Sequence, residues 1–105
     1  MVRGDIFRLS APRGARGAEQ RGARYGVVVQ ADELLPFRTI LISPTSTSAP
    51  GAPFRLEIIL DGASTRVMVE QTRAVDPERL GRFAGRLDGR ELVMLDEALK
   101  LVLGL

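Results

Sequence analysis

The stretch RYGVVVQ, residues 24–30, is a continuous apolar run that begins and ends with polar residues. Three successive valines in such a run are typical of a central strand that is covered on both faces. The neighbouring segments DIFRL (5–9) and RTILISPT (38–45) predict a first and a third strand, and Pro44 marks the end of the latter. The pattern therefore indicates a β protein built around residues 24–30.

The β pattern continues as far as residue 87. Asp61 and Gly62 form a DG turn signal, and Asp76 with Pro77 predicts one helical turn over DPERL (76–80). The β-rich segments around these turns are FRLEIIL (54–60), TRVMVEQTR (65–73) and GRFAGRL (81–87). We therefore expect five or six short strands that are connected in sequential order.

The carboxy-terminal segment has the pattern of a helix. Asp88 stands at its start as a cap, and Glu91 follows three residues later, which is the spacing of a capping box. Apolar residues recur at spacings of three and four: Leu92, Leu95, Leu99 and Val102. This stripe predicts that one terminal helix packs on the sheet, within a single domain over residues 1–105.

Composition limits the chemistry that the chain can perform. The sequence pI is near 9.9 and Lys100 is the single lysine, so arginines dominate the basic charge and favour an anionic partner. The chain has no histidine and no cysteine, which removes imidazole and thiolate metal ligands, and we expect neither a metal nor a cofactor. Any catalysis would have to use Arg, Thr, Ser, Asp or Glu.

The same composition bears on the compartment. A chain without cysteine suits a reducing compartment, and the cytoplasm is the expected location. No apolar run approaches the roughly 20 residues of a membrane span, and the start MVRGDIFRLS lacks the apolar core of a signal peptide. We therefore expect no membrane association.

Five motifs occur in order along the chain: RGDIFRL (3–9), GAEQRGARYGVVVQ (17–30), ISPTS (42–46), VEQTRAVDPERL (69–80) and LDEALKLVLGL (95–105). Together they resemble the MazF/PemK-type toxins, the endoribonuclease halves of bacterial type II toxin–antitoxin pairs. The resemblance implies a mainly β fold with a C-terminal α-helix, a small curved SH3-like β-barrel of the MazF/CcdB/Kid toxin type. It also implies a homodimeric, sequence-specific and metal-independent mRNA interferase that is neutralised by a cognate MazE-type antitoxin.

Two catalytic positions carry over from the family by resemblance. The family's Arg at the start of the second strand matches Arg24, and its Thr at the end of the third strand matches Thr45, which Ser46 follows. Tyr25 stands where the family usually has Pro. This departure leaves two consequences open: a looser backbone before the strand, or an aromatic ring that takes part in binding.

The chemistry of these two residues suits RNA cleavage without a metal. The substrate's own 2′-hydroxyl can attack the adjacent phosphorus, giving a 2′,3′-cyclic phosphate and a free 5′-hydroxyl, and DNA should be spared because it lacks that hydroxyl. The permanently charged guanidinium of Arg24 would stabilise negative charge on the phosphoryl oxygens. Thr45 would orient the 2′-hydroxyl or bond a phosphate oxygen.

Further substrate contacts are expected on the loop from Ser10 to Ala23 and beside the groove. On the loop, arginines would meet phosphates and Glu19 and Gln20 would touch base edges of single-stranded RNA, whether messenger, ribosomal or transfer RNA. The pair Glu70 and Gln71 resembles the family's pair beside the groove. The full predicted substrate-binding set is Arg16, Glu19, Gln20, Arg21, Ser46, Glu70 and Gln71.

Each of these assignments has a structural alternative. Thr45 could cap a turn within TSTS, Arg24 could form an edge ion pair with Glu33 or Asp32, and Glu70 with Gln71 could belong to a buried hydrogen-bond network in a strand. The loop could be a flexible hairpin connection only.

Two other functions also fit a barrel of this size. A CcdB-like toxin that poisons DNA gyrase depends on a Trp-containing carboxy-terminal tail, whereas this chain has no Trp and ends LVLGL. A catalytically silent barrel would only bind an antitoxin, and the Tyr25 departure keeps that alternative open. An antitoxin partner should carry a disordered tail, acidic and hydrophobic, that competes with RNA for the arginines.

Overall fold

The structure, a computed structural model, describes residues 1–10, 24–35 and 38–105. Within these ranges the strands are β1 Asp5–Leu9, β2 Tyr25–Val28, β3 Ile40–Ser46, β4 Arg55–Leu60, β5 Ala63–Met68, β6 Arg73–Val75 and β7 Leu80–Arg86, and the helix is α1 Gly89–Leu103. Short 3-10 helices cover Asp32–Leu34, Val69–Gln71 and Pro77–Arg79. The described residues therefore contain seven strands, against the five or six expected.

The predicted central position of residues 24–30 is confirmed. β2 pairs antiparallel with β1 on one side and with β3 on the other, and all four of its residues are buried. Val27 belongs to the main hydrophobic cluster, together with Leu95 of α1, while Val28 belongs to a second cluster with Ile40 and Ile42. The run is continuously apolar because alternate side chains enter two different cores.

The expected sequential connection of the strands holds for β1 to β3 and for β4 with β5, and it is wrong for the rest of the sheet. The sheet runs in the order β4-β5-β3-β2-β1-β7, and β6 also pairs with β3. Along one edge of β3, residues Ile40 to Ile42 pair with β6, and Thr45 and Ser46 pair with β5. On this edge Pro44 lies between the residues that pair with β6 and those that pair with β5. No partner strand there requires the backbone N–H that proline lacks, so β3 continues past Pro44.

The predicted single strand over residues 65–73 is also wrong, because it is divided into β5 and β6. A 3-10 helix, Val69–Gln71, separates the two strands. Thr72 closes this turn, since its hydroxyl donates to the carbonyl of Val69 at 2.8 Å. Thr45 pairs with Val67 and Ile42 pairs with Arg73, so six residue steps of the 67–73 segment cover three residue steps of β3, and the turn takes up the difference.

The helical predictions hold, with one exception. Asp76 accepts from the backbone N–H of Glu78 at 2.9 Å, and Asp88 and Glu91 form a complete capping box at the start of α1. The helix packs against β4 and the 69–71 turn through buried Leu95 and Ala98. Val102 is 38% exposed, because it lies in the last turn beyond the buried part of α1. No helix in the described part of the chain has the length and apolar character needed to cross a membrane.

Candidate active site

A cleft of about 560 Å³ lies beside the start of β2. Its wall is formed by the end of β3 and the residues that follow it, by the β4–β5 hairpin and by the 69–71 turn. Residues of this wall include Arg24, Tyr25, Thr45, Ser46, Asp61 and Gln71. The cleft therefore brings together both predicted catalytic residues and two of the predicted substrate contacts.

Arg24 is placed by the backbone and leaves its side chain exposed. Its carbonyl accepts a hydrogen bond from the N–H of Leu9 in β1 at 2.8 Å, which holds the residue just before β2. Among the described residues, it forms no ion pair with Asp32 or Glu33. Asp32 instead accepts from the backbone N–H of Arg3 at 2.6 Å.

Thr45 lies within β3 and is almost fully buried. Its hydroxyl donates to the backbone carbonyl of Tyr25 at 3.3 Å, across the β2–β3 pair. The turn-capping alternative for Thr45 is therefore wrong. Ser46 has that role, because its side-chain oxygen accepts from the backbone N–H groups of Ser48 and Ala49 at 3.2 and 3.0 Å.

Tyr25 joins the core to the cleft. Its side chain belongs to the main hydrophobic cluster and is only 7% exposed, so the ring is not available to stack on a base. Its hydroxyl donates to Oδ2 of Asp61, and Nη2 of Arg82 lies 3.4 Å from the same oxygen. Tyr25 itself pairs in register with Arg8 of β1, and the backbone that leads up to Arg24 lies outside the described residues.

The hydrogen bond between Tyr25 and Asp61 shifts both groups. It lowers the pKa of the Asp61 carboxyl below its ordinary value, with Arg82 adding to the effect. The same bond, together with burial, raises the pKa of the Tyr25 hydroxyl. Near neutral pH the carboxylate is thus ionised and the phenol keeps its proton. The sequence marked Asp61 only as a turn residue, and no local signal pointed to this contact.

Glu70 and Gln71 are separated by the structure. Gln71 is exposed and lines the cleft, whereas Oε2 of Glu70 accepts from Nε of Arg55 at 3.0 Å. This contact lowers the pKa of the Glu70 carboxyl. Adjacent residues of a 3-10 helix point about 120° apart, so the two side chains diverge. The alternative of a buried network in a strand fails for both residues, because Glu70 is only partly buried and both lie in a 3-10 helix. The structure does not bring Glu70 to the cleft wall.

The remaining predicted contacts fall outside the described residues. They are Arg16, Glu19, Gln20 and Arg21. Within residues 1–10, 24–35 and 38–105, no three carboxylates are grouped in a way that could hold a metal ion.

Comparison with known proteins defines the class to which this fold and cleft belong. The family described as PemK-like, MazF-like toxins of type II toxin–antitoxin systems matches residues 2–103. The chain belongs to this toxin family, as its motifs predicted.

Individual relatives cover essentially the whole chain. Endoribonuclease MazF9 of Mycobacterium tuberculosis is 36% identical over 118 residues, which span 100% of this chain and 98% of the relative. Another M. tuberculosis protein, described as a candidate toxin, is 35% identical over 106 residues, covering 100% and 99% of the two chains. A mycobacterial endoribonuclease solved in complex with its cognate antitoxin superposes with a TM-score of 0.80 at 17% identity, covering 100% of this chain and 96% of that one. This likeness confirms the predicted fold, mainly β with one C-terminal helix.

Proposed function

We propose that this chain is a sequence-specific, metal-independent endoribonuclease toxin that cleaves single-stranded RNA. We also propose that residues 1–105 form a single domain. The observation that carries the proposal is that Arg24 and Thr45 line one cleft, on either side of the Tyr25 backbone. The relationship to a protein named Endoribonuclease MazF9 supports the same activity.

The proposed reaction uses the nucleophile of the substrate. The ribose 2′-oxygen attacks the adjacent phosphorus and loses its proton to water, while the bond to the 5′-oxygen breaks and that oxygen takes a proton from water. The products are a 2′,3′-cyclic phosphate and a 5′-hydroxyl. The exposed guanidinium of Arg24 would bind the phosphoryl oxygens as their negative charge grows.

Thr45 would donate to the same phosphoryl group. Its present bond to the Tyr25 carbonyl is long, at 3.3 Å, so the hydroxyl can exchange it for a charged phosphate oxygen at little cost. Because Thr45 is buried within a paired strand, its oxygen is positioned before the substrate arrives. Positioning and charge stabilisation would then supply most of the rate.

Purified protein should cut single-stranded RNA in the presence of EDTA and leave the matching DNA intact. The reason is that the proposed nucleophile is the 2′-hydroxyl and the charge-stabilising group is a guanidinium. Cleavage is followed on gels. The new 3′ end should resist phosphatase, as a cyclic phosphate does, and the new 5′ end should be labelled by a kinase without prior dephosphorylation, as a free hydroxyl is. Cleavage that requires added magnesium, or cleavage of DNA at a similar rate, would refute the mechanism.

Thr45→Val should lower cleavage by about tenfold while the fold persists, because it removes one hydrogen bond donor and keeps the shape of the side chain. Rates are measured on one RNA for wild type and variant, with melting curves to verify folding. Thr39→Val is the matched control, since Thr39 is exposed just before β3 and lies outside the cleft. Equal rates for wild type and Thr45→Val would remove Thr45 from the site.

The proposal extends to partners and location. We propose a cytoplasmic homodimer that is neutralised by a MazE-type antitoxin. The relative solved with its cognate antitoxin supports this partner. Exposed apolar side chains on α1 offer surface that association would bury: Val93, Met94, Leu101 and Leu103. Arg16, Glu19, Gln20 and Arg21 remain predicted RNA contacts, and Ser46 and Gln71 have the placement for that role.

A further inference from the structure

The hydroxyl of Tyr25 is held from three elements of the fold. The ring is packed in the main core below β2, the Asp61 carboxylate approaches from the β4–β5 turn, and Arg82 reaches that carboxylate from β7. The ring cannot move without opening the core, so the hydroxyl occupies a fixed place in the cleft wall.

The turn that supplies Asp61 is itself restricted. Asp61 has a left-handed backbone, with φ of 49°, and is followed by Gly62 at 77°. Such a two-residue turn accepts Asp, Asn or Gly in its first position. Of these three residues, only Asp offers a side chain that accepts hydrogen bonds and never donates them.

This arrangement fixes the direction of the phenolic proton. A tyrosine hydroxyl has one proton to donate and two lone pairs that accept. Because the ionised Asp61 takes the proton, only lone pairs remain for a ligand in the cleft. A phosphate oxygen only accepts hydrogen bonds, so it cannot bond this oxygen, whereas a ribose hydroxyl can donate to it.

We propose that Tyr25 accepts a hydrogen bond from the ribose 2′-hydroxyl of the bound substrate, before that hydroxyl passes its proton to water, with Asp61 as the positioning residue that directs the phenolic proton away. This assignment rests on the proposed function and names the group that recognises the nucleophile. Arg24 and Thr45 bind the phosphoryl oxygens, and Tyr25 holds the 2′-oxygen toward the phosphorus. Selectivity for ribose over deoxyribose would then come from the cleft as well as from the chemistry.

The test uses two short RNAs that cannot follow the normal reaction, synthesised around a cut site mapped with the wild-type protein. The nucleotide 5′ to the cut carries either a 2′-amino group, which donates a hydrogen bond, or a 2′-fluoro group, which cannot donate. At mildly alkaline pH the amine is uncharged. Wild type should bind the 2′-amino RNA about five- to tenfold more tightly, the effect of one hydrogen bond.

The variants separate the two roles. Tyr25→Phe keeps the ring and should bind both RNAs equally, within about twofold, and it should lower cleavage by about tenfold. Asp61→Gly leaves a Gly-Gly turn, frees the phenolic proton to point into the cleft and should reduce the preference to about two- to threefold. Asp96→Ala is the matched control, because Asp96 also binds an arginine, Arg3 at 2.7 Å, but outside the cleft.

Each result decides a different point. If folded Tyr25→Phe keeps the wild-type preference, or wild type cuts RNA but has no preference, the assignment of Tyr25 is wrong while the proposed function stands. If Asp61→Gly matches wild type, Asp61 does not position the hydroxyl. If wild type cuts no RNA under any condition, the proposed function fails and this inference fails with it.

Discussion

Arg24→Ala is expected to lower the rate of RNA cleavage by at least about 100-fold, the effect of removing one charged group that stabilises a transition state. Arg24 is exposed at the cleft and holds its place through a backbone bond to Leu9 that the substitution keeps. The free energy of unfolding should therefore change by less than about 0.5 kcal/mol, as is usual for surface substitutions. Single-turnover cleavage and growth arrest on induction are the two measurements.

The control for this experiment is Arg90→Ala. Arg90 is also exposed, in the first turn of α1, and does not line the cleft. The Arg90→Ala protein should cleave RNA and arrest growth like wild type. A second variant, Arg24→Lys, keeps the charge but loses the two-pronged contact with phosphate, and its rate should lie between wild type and alanine. A folded Arg24→Ala protein with undiminished cleavage would remove Arg24 from the mechanism.

Gly26→Ala should lower the free energy of unfolding by about 1–3 kcal/mol, the usual cost of overpacking a filled core. A Cβ at this position would lie 2.3 Å from Cγ2 of Ile42 and 3.0 Å from Cδ1 of Leu9. Ile42 and Leu9 are both buried in the second cluster, so neither side chain can move into open space. Cleavage should fall as well, because β2 carries Arg24 and Tyr25 to the cleft.

Gly89→Ala is the matched control for the Gly26 variant. A Cβ at Gly89 would have no neighbour within 4 Å, and the residue opens α1, where alanine favours the helix. Urea denaturation of the two variants and wild type gives the comparison, with Gly89→Ala at least as stable as wild type. If Gly26→Ala is equally stable, the close packing of β2 against β3 does not constrain the start of the site.

Local pattern accounts for much of the fold. The start of α1 was predictable because its capping contacts join Asp88 and Glu91, three residues apart. The central place of β2 was predictable because burial on both faces leaves a continuous apolar run, which Val27 and Val28 divide between two cores. The family motifs led to Arg24 and Thr45, and the structure places both at one cleft.

Contacts between residues far apart in the sequence could not be predicted from local pattern. The bond from Tyr25 to Asp61 spans 36 positions of sequence, and nothing in either neighbourhood distinguishes Asp61 from an ordinary turn residue. Local pattern also does not predict the order of the strands, since β3 pairs with both β5 and β6 along a single edge. Separating β5 from β6 required the 69–71 turn, and a run of β-forming residues does not mark where such a turn falls.

The amino-acid sequence by itself determined the class of fold, the terminal helix and the toxin family, and it led to Arg24 and Thr45 as the proposed catalytic residues, because these depend on local spacing and ordered motifs. Only the tertiary structure decided that Gln71 faces the cleft while Glu70 turns to Arg55, and that Tyr25 presents its hydroxyl and buries its ring. The direction of a side chain depends on which distant elements surround it. That arrangement is set by packing of the whole chain and not by the neighbours in sequence.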